Sequence, residues 1–185
     1  MYFDSPGPGN TGETVKIAIR EAKQRRISHI AAASNTGETV FALAEEAEKQ
    51  GYEGRIVCVT HVYGFKENGK NELSDESREK LIKRGISVCT AGHALSGAER
   101  ALSRKFQGAY PLEIIAHTLR MFGQGTKVCL EVAVMALDAG LVPFGQQVIA
   151  LGGTGRGADT ALILTPAYSS VILDSKIHEV LCKPR

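Results

Sequence analysis

The six residues from Ser34 to Thr39 carry hydroxyl, amide and glycine groups of the kind that surround a bound phosphate. A run of apolar residues, Ile30 to Ala33, directly precedes them and predicts a strand, and the spacing of later apolar residues predicts an amphipathic helix over residues 37–50. A short turn between a strand and a helix leaves backbone N–H groups without partners, and the helix dipole adds to their attraction for an anion. The segment therefore predicts a site for the phosphate or sugar end of a small phosphorylated ligand. Its candidate residues are Ser34, Asn35, Thr36, Gly37, Glu38 and Thr39.

Glu38 complicates this prediction, because a carboxylate in the first turn of a helix stabilises the helix but repels a bound anion. Two arrangements are compatible with it. In one, Glu38 folds back onto the backbone N–H of Asn35, as in a capping box. In the other, the ligand presents a hydroxyl group to the carboxylate, as a sugar or a ribityl chain would. The sequence leaves both arrangements open.

The hexapeptide Asn-Thr-Gly-Glu-Thr-Val occurs twice, at residues 10–15 and again at residues 35–40. Each copy has an Asn that is expected to be the N-cap of a helix and a Glu three residues later, which predicts an Asn version of the capping box. Only the second copy follows a predicted strand. We therefore expect the first copy to begin a helix over residues 12–26 that packs alongside, and the second copy to face a ligand.

The glycine-rich segment Gly152–Asp159 lies between two predicted strands, residues 147–151 and 160–165. It fits the Gly-x-Gly-x-x-Ala form of a dinucleotide-binding turn, but the stretch after it contains Pro166 and too little chain follows to complete such a unit. A Walker loop is excluded because no Lys-Ser or Lys-Thr pair follows the glycines. Two interpretations stay open: a loop whose amides and cation close over an anionic ligand, or a loose hairpin tip. For the first, the candidate residues are Gly152, Gly153, Thr154, Gly155, Arg156 and Asp159.

Four further residues are weaker candidates for the walls of the same site. Thr60 and His61 end a predicted strand, and ligands of open α/β sheets bind at the carboxyl ends of the strands. Gly123 and Gly125 separate two predicted helices. No Gly-x-Ser-x-Gly turn and no Ser-His-Asp or Cys-His pattern emerges, so the sequence identifies no catalytic residue.

Composition restricts the classes of partner. The formal net charge is +2, with basic and acidic residues interspersed, and this argues against a nucleic-acid partner. The four Cys are far apart and the His have no ligand spacing, so we expect neither a disulfide framework nor a metal site. Because no signal peptide or long apolar run is visible, we expect a cytoplasmic protein without a membrane partner. Homo-oligomer formation stays open.

The order of predicted elements indicates the fold. Helices alternate with short buried strands through residue 90, which is typical of a parallel sheet with helices on both faces. The connection between residues 151 and 160 is too short for a helical crossover, so the last two strands should form an antiparallel hairpin. We predict one domain over residues 1–185, a three-layer α/β/α fold with a mostly parallel sheet and an antiparallel edge hairpin. Residues 1–9 are expected to be a turn-rich lead-in, residues 91–110 an irregular connection, and residues 169–182 either a strand or a short helix.

These motifs resemble the carboxy-terminal domain of pyruvate kinase. Ser34, Thr36, Gly37 and Thr39 are similar to its phosphate-binding turn, and Gly152–Asp159 is similar in position to its loop between the last strands. In that family the two segments hold the phosphates of a sugar bisphosphate effector, and Glu38 stands where a basic residue is usual. The catalytic barrel of pyruvate kinase has no counterpart in this chain, so the resemblance does not imply kinase activity.

The whole chain also resembles a stand-alone archaeal and bacterial family with the same fold. The resemblance extends over five segments: Asn10–Thr14, Ser34–Thr39, His93–Gly97, Met121–Gly125 and Gly152–Asp159. Members of this family resemble binders of flavin mononucleotide, which implies FMN as the cofactor and, if the protein is an enzyme, a flavin-dependent oxidoreductase. The alternative hypothesis is a non-catalytic sensor that binds a phosphorylated metabolite such as a sugar phosphate.

Overall fold

The computed structural model describes residues 1–185 and contains seven strands and six α-helices. The strands are β1 (Tyr2–Phe3), β2 (His29–Ala33), β3 (Arg55–Thr60), β4 (Ser87–Thr90), β5 (Val148–Gly152), β6 (Thr160–Thr165) and β7 (Lys176–Pro184). The helices are α1 (Thr11–Arg25), α2 (Glu38–Gln50), α3 (Asp75–Lys83), α4 (Glu99–Phe106), α5 (Pro111–Arg120) and α6 (Gln124–Asp138). Two 3-10 helices cover Pro8–Asn10 and Ser169–Asp174.

The seven strands form one sheet in the order β1-β7-β6-β5-β2-β3-β4. The neighbours β5, β2, β3 and β4 are parallel, and only β6 runs against its neighbours. The predicted mostly parallel sheet and the antiparallel β5–β6 hairpin are therefore confirmed. The hairpin lies inside the sheet rather than at its edge, because the tail residues form β7 and the lead-in forms β1, and these two strands extend the sheet beyond β6.

Helices cover both faces of the sheet, so the fold has the predicted three layers. Along β2, Ile30 and Ala32 face one core and Ala31 faces the other, because successive side chains of a strand point to opposite faces. The first core is closed by Val15 of α1, Leu43 of α2 and Leu81 of α3. The second core is closed by Ala116 of α5 and by Val132 and Met135 of α6.

Three segments differ from the sequence-based prediction. Residues 91–110 contain helix α4, which was expected to be irregular because eight residues with two large apolar side chains, Leu102 and Phe106, are too short a stretch to show a helical period. The lead-in is not free of strand structure, since Tyr2 and Phe3 pair with Lys183 and Pro184. The tail forms both of the alternatives, a 3-10 helix followed by β7.

The predicted capping boxes are absent from both hexapeptides. Asn10 does precede α1, but its side-chain amide donates to the carbonyl of Ser5 at 2.7 Å instead of capping the helix. In the second copy the residue before the helix is Gly37, with φ of 95°, and no side chain caps the helix there. The prediction was wrong in the first copy because the Asn10 side chain bonds to Ser5, and in the second because the N-cap is Gly37 rather than Asn35.

None of the helices combines the length and the apolar character that crossing a lipid bilayer requires.

Candidate functional site

A cavity of about 350 Å³ opens at the carboxyl ends of β2, β3 and β5. Its volume lies at the lower end of the roughly 300–1,000 Å³ range of small-molecule sites. Besides these strand ends, its walls come from the beginnings of α2 and α6 and from the glycine-rich loop. The cavity therefore occupies the position at which open α/β sheets bind ligands.

Ten of the sixteen candidate residues line this cavity. They are Ser34, Asn35, Thr36, Glu38, Thr39, Thr60, His61, Gly153, Gly155 and Arg156. The structure thus brings the turn after β2, the end of β3 and the glycine-rich loop to one place. The six candidates that do not line it are Gly37, Gly123, Gly125, Gly152, Thr154 and Asp159.

The turn after β2 presents a run of unpaired backbone donors. The N–H groups of residues 35–39 donate to no other group of the chain, whereas the next two bond to the Ser34 hydroxyl (Val40, 3.4 Å) and to the Gly37 carbonyl (Phe41, 2.9 Å). Gly37 supports this run because its left-handed φ turns the backbone into the helix. Five successive unpaired donors at the start of a helix are the kind of nest that anions bind in other proteins.

The glycine-rich loop is anchored at both ends rather than loose. The buried carboxylate of Asp159 accepts hydrogen bonds from the backbone N–H of Gly7 at 3.0 Å, the backbone N–H of Thr154 at 3.1 Å and the hydroxyl of Thr160 at 2.8 Å. In addition, the Ala158 N–H donates to the hydroxyl of Thr11 at 3.0 Å. Asp159 and Thr154 therefore shape the loop from outside the cavity.

Glycines at the base of α6 permit a close approach of helix and sheet. A side-chain Cβ at Gly125 would lie 2.0 Å from the hydroxyl oxygen of Thr160, and one at Gly152 would lie 2.6 Å from the carbonyl oxygen of Gly125. Gly123 directly precedes α6 with φ of 113°. Gly125 and Gly152 thus lie at the contact between the start of α6 and the strands β5 and β6, outside the lining of the cavity.

The charge of the lining favours an anion. Five cationic side chains and three carboxylates line the cavity. The cations are Lys66, Arg100, Arg120, Lys127 and Arg156, and the carboxylates are Glu38, Glu72 and Glu131. Sequence reasoning identified only Arg156 among the cations. Lys127 could have been identified from the sequence, because a cation in the first turn of a helix is unfavourable for the helix dipole.

Lys127 and Glu131 form a buried ion pair in the wall of the cavity. The two residues are 5% and 6% exposed, and the Lys127 ammonium donates to Glu131 Oε2. Glu131 Oε1 accepts a hydrogen bond from the backbone N–H of Leu95 at 3.0 Å. Burial lowers the pKa of Lys127 from its ordinary value, and the neighbouring Glu131 only partly opposes that shift.

Two imidazoles lie in the wall on the β3 side. His61 Nδ1 is 2.6 Å from Glu72 Oε2, and Lys66 Nζ is 2.5 Å from Glu72 Oε1. The rings of His61 and His93 are 5.2 Å apart. Burial lowers the pKa of His93, which keeps its ring neutral near pH 7. Burial of Glu72 raises the pKa of its carboxyl, but hydrogen bonds from Lys66 and His61 outweigh that effect and the pKa is lowered.

The groups available for chemistry are therefore amines and imidazoles rather than thiols. All four Cys are buried in the cores, and burial raises the pKa of the Cys58 thiol to about 12.

Several side chains of α6 and β3 add an apolar strip that could contact a planar ring. The strip consists of Val59, Val128, Val132 and Met135.

Comparison with known proteins gives one family and a set of solved structures. The family model described as "Pyruvate kinase, alpha/beta domain" matches residues 13–164. A pyruvate kinase from Cryptosporidium parvum in complex with ADP is 16% identical, with 86% of this chain and 24% of that chain covered and a TM-score of 0.41. Another structure of a pyruvate kinase from Cryptosporidium parvum is 15% identical, with 86% and 23% covered and a TM-score of 0.44. The chain spans about a quarter of the length of these kinases.

Proposed function

We propose that this chain, which belongs to the pyruvate kinase alpha/beta domain family, binds a small phosphorylated ligand at the carboxyl edge of its sheet. The observation that carries the proposal is the run of five unpaired N–H groups at residues 35–39, which begins a helix and borders a cavity. Such donors satisfy the oxygen atoms of a phosphate without a change in the backbone. The exposed guanidinium of Arg156 on the facing loop supplies a compensating charge.

Flavin mononucleotide is the first candidate ligand. Its phosphate would bind the donors of residues 35–39, and the apolar strip with Val59, Val132 and Met135 would contact the flavin ring. The ribityl hydroxyl groups would donate to the Glu38 carboxylate, which removes the conflict between that carboxylate and an anion. If the protein is an enzyme, a flavin bound in this way would make it a flavin-dependent oxidoreductase, with a reaction that depends on the second substrate.

A sugar phosphate bound by a non-catalytic sensor is the second candidate. Only six of the 25 residues that line the cavity are hydrophobic, and three carboxylates can accept hydrogen bonds from hydroxyl groups. A polar ligand with many hydroxyl groups satisfies this lining without a large apolar surface. Kinase activity forms no part of either proposal.

Titration with FMN and with riboflavin separates these candidates. Quenching of flavin fluorescence measures binding, and riboflavin is the matched control because it lacks only the phosphate. FMN binding at micromolar concentrations with at least about tenfold weaker riboflavin binding is expected, since one charged hydrogen bond contributes about 1.5–3 kcal/mol. A protein that binds neither flavin but shows a higher melting temperature with glucose 6-phosphate favours the sensor. Absence of any effect of FMN, sugar phosphates and inorganic phosphate contradicts both.

A further inference from the structure

Lys127 is the one lysine of the chain that is buried. Its location is unfavourable for the fold, because a cation in the first turn of α6 opposes the helix dipole. A lysine four residues before a glutamate is also the less favourable order for an ion pair within a helix. Since apolar residues of similar size often replace a buried ion pair without loss of stability, the fold alone does not explain this pair.

The pair is placed where a ligand can reach it. Lys127 and Glu131 line the same cavity as the anion nest at residues 35–39. Leu95 holds the Glu131 carboxylate through its backbone N–H, so one carboxylate oxygen is fixed and the other is directed at the Lys127 amine. The arrangement combines an amine, an adjacent proton acceptor and the proposed phosphate-binding turn in one cavity.

Burial also adjusts the amine for reaction. Because desolvation lowers the pKa of Lys127, a larger fraction of this amine is neutral near pH 7 than is the case for an exposed lysine. The neutral form is the nucleophile in reactions of lysine with carbonyl compounds. Lys66, which also lines the cavity, has a side chain that is 61% exposed rather than buried.

We propose that Lys127 is a nucleophile that forms an imine with an aldehyde or ketone carbon of the ligand; this rests on the proposed phosphate site. Glu131 takes a proton from the Lys127 ammonium, the amine nitrogen attacks the carbonyl carbon, and a proton passes from that nitrogen to the former carbonyl oxygen. The resulting carbinolamine loses its hydroxyl group as water, with the proton returned by Glu131. One C=N bond replaces the C=O bond, one water leaves, and no oxidant or reductant takes part.

Pyridoxal 5′-phosphate is a suitable probe, since it is an aldehyde that carries a phosphate. The 185-residue chain is mixed with the probe at substoichiometric concentration, reduced with borohydride and digested, and the labelled peptides are identified by mass spectrometry. We expect at least about tenfold more label on Lys127 than on Lys66, because phosphate binding holds the aldehyde beside the buried amine. Excess inorganic phosphate should reduce the Lys127 label, because it competes for the donors that hold the probe. Equal label on the two lysines contradicts the proposal.

Two variants test the roles within the pair. Lys127→Arg keeps the ion pair but removes the nucleophile, so the label at this peptide should disappear. Glu131→Gln keeps an oxygen that accepts from Leu95, but it should slow imine formation about a hundredfold through loss of the proton acceptor. An unchanged rate in the Gln variant, with its circular dichroism spectrum unaltered, overturns the role of Glu131.

The phosphate site and the nucleophile can fail separately. If inorganic phosphate and pyridoxal phosphate raise the melting temperature of the wild-type protein but no label appears on Lys127, the nucleophile is wrong and the phosphate site stands. If neither compound raises the melting temperature, the phosphate site is wrong. In that case pyridoxal, which lacks the phosphate, tests the amine by itself, and preferential label on Lys127 would retain the nucleophile.

Discussion

The carboxylate of Asp159 accepts a hydrogen bond from the backbone N–H of Gly7, 152 positions earlier in the chain, at 3.0 Å. The same oxygen accepts from Thr154 at 3.1 Å, so one buried carboxylate joins the amino-terminal lead-in to the glycine-rich loop. The loop borders the cavity from a position that this carboxylate determines. The hydrogen bonds of Asp159 therefore both stabilise the fold and position the loop that borders the site.

Asp159→Asn should destabilise the protein by about 2–4 kcal/mol, because an amide replaces a charged acceptor and leaves buried N–H donors unsatisfied. Urea denaturation monitored by circular dichroism measures the change. Asp174→Asn is the control: Asp174 is exposed, and its replacement should alter the free energy of unfolding by less than about 0.5 kcal/mol. Equal effects of the two substitutions would show that the Asp159 hydrogen bonds contribute nothing.

The two hexapeptides place their glycines in different backbone conformations. Gly12 lies within α1 with no atom near the position of an added Cβ, whereas Gly37 has φ of 95° and an added Cβ would lie 2.9 Å from the Phe41 ring. Gly12→Ala should stabilise the protein by about 0.5–1 kcal/mol, because alanine favours a helix over glycine by that amount. Gly37→Ala should destabilise it by at least about 1 kcal/mol, because a left-handed conformation is unfavourable for alanine. If the melting temperatures of both variants shift in the same direction, the two glycines do not differ in their backbone requirements as described.

Gly125→Ala tests whether α6 needs a close approach to the sheet. An added Cβ would lie 2.5 Å from the Cβ of Thr160, which a rotation of the Thr160 side chain cannot relieve. We expect a loss of about 1–3 kcal/mol or more, as in other cases of overpacking. Thermal unfolding measures it. Thr160→Ser in the same background keeps that Cβ and should recover little stability, whereas full recovery would place the conflict at the methyl group instead.

The sheet was predictable because its signals are local. The run Arg55–Thr60 is rich in β-branched and apolar residues and was predicted with the bounds that the structure shows. Residues at strand ends, such as Ser34 and His61, were also predictable as neighbours, since parallel strands end at the same edge. The hairpin was predicted at the edge of the sheet because the sequence did not show that β7 and β1 extend the sheet beyond β6.

Other parts of the site depend on tertiary packing and lacked a local signal. Arg120 reaches the cavity from α5, which packs against the second core, and Arg100 reaches it from α4, which is joined to α5 by the hydrogen bond from Ser103 to Glu113. The two identical hexapeptides show most directly that a short sequence does not determine its backbone conformation by itself. Gly12 is helical and Gly37 is left-handed, so the same six residues adopt two structures according to the segment that precedes them.

The stability of the protein should decrease in weak acid because of His93. Burial lowers the pKa of His93 below the roughly 6.5 of an unfolded histidine. The unfolded chain then binds more protons than the folded chain between these two pKa values. The stability that neutral His93 contributes to the folded state is therefore fully present above about pH 6.5, and it is lost as the pH falls through the pKa of the folded state. Glu131, His61, Lys127 and Arg100 are the charged or titratable groups that affect His93.

Urea denaturation of the wild type and of His93→Gln between about pH 7.5 and pH 5 isolates this contribution. The wild type should lose more stability than the variant over that range, since glutamine does not titrate. Carboxylates titrate in both proteins and cancel in the difference. Parallel pH profiles would show that the folded and unfolded pKa values of His93 are the same.

Arg156 provides the most direct test of the anion site. Its side chain is exposed, lines the cavity and has no salt bridge within the chain, so the folded protein does not need its charge. Arg156→Gln should weaken FMN or inorganic phosphate binding about 10- to 100-fold, the equivalent of one charged hydrogen bond. The free energy of unfolding should change by less than about 0.5 kcal/mol.

Isothermal titration calorimetry measures the affinity, and Arg104→Gln, an exposed substitution outside the cavity, is the matched control. Equal affinities of the two variants would remove the glycine-rich loop from the binding site, whereas a loss confined to Arg156→Gln would place the loop over the bound phosphate.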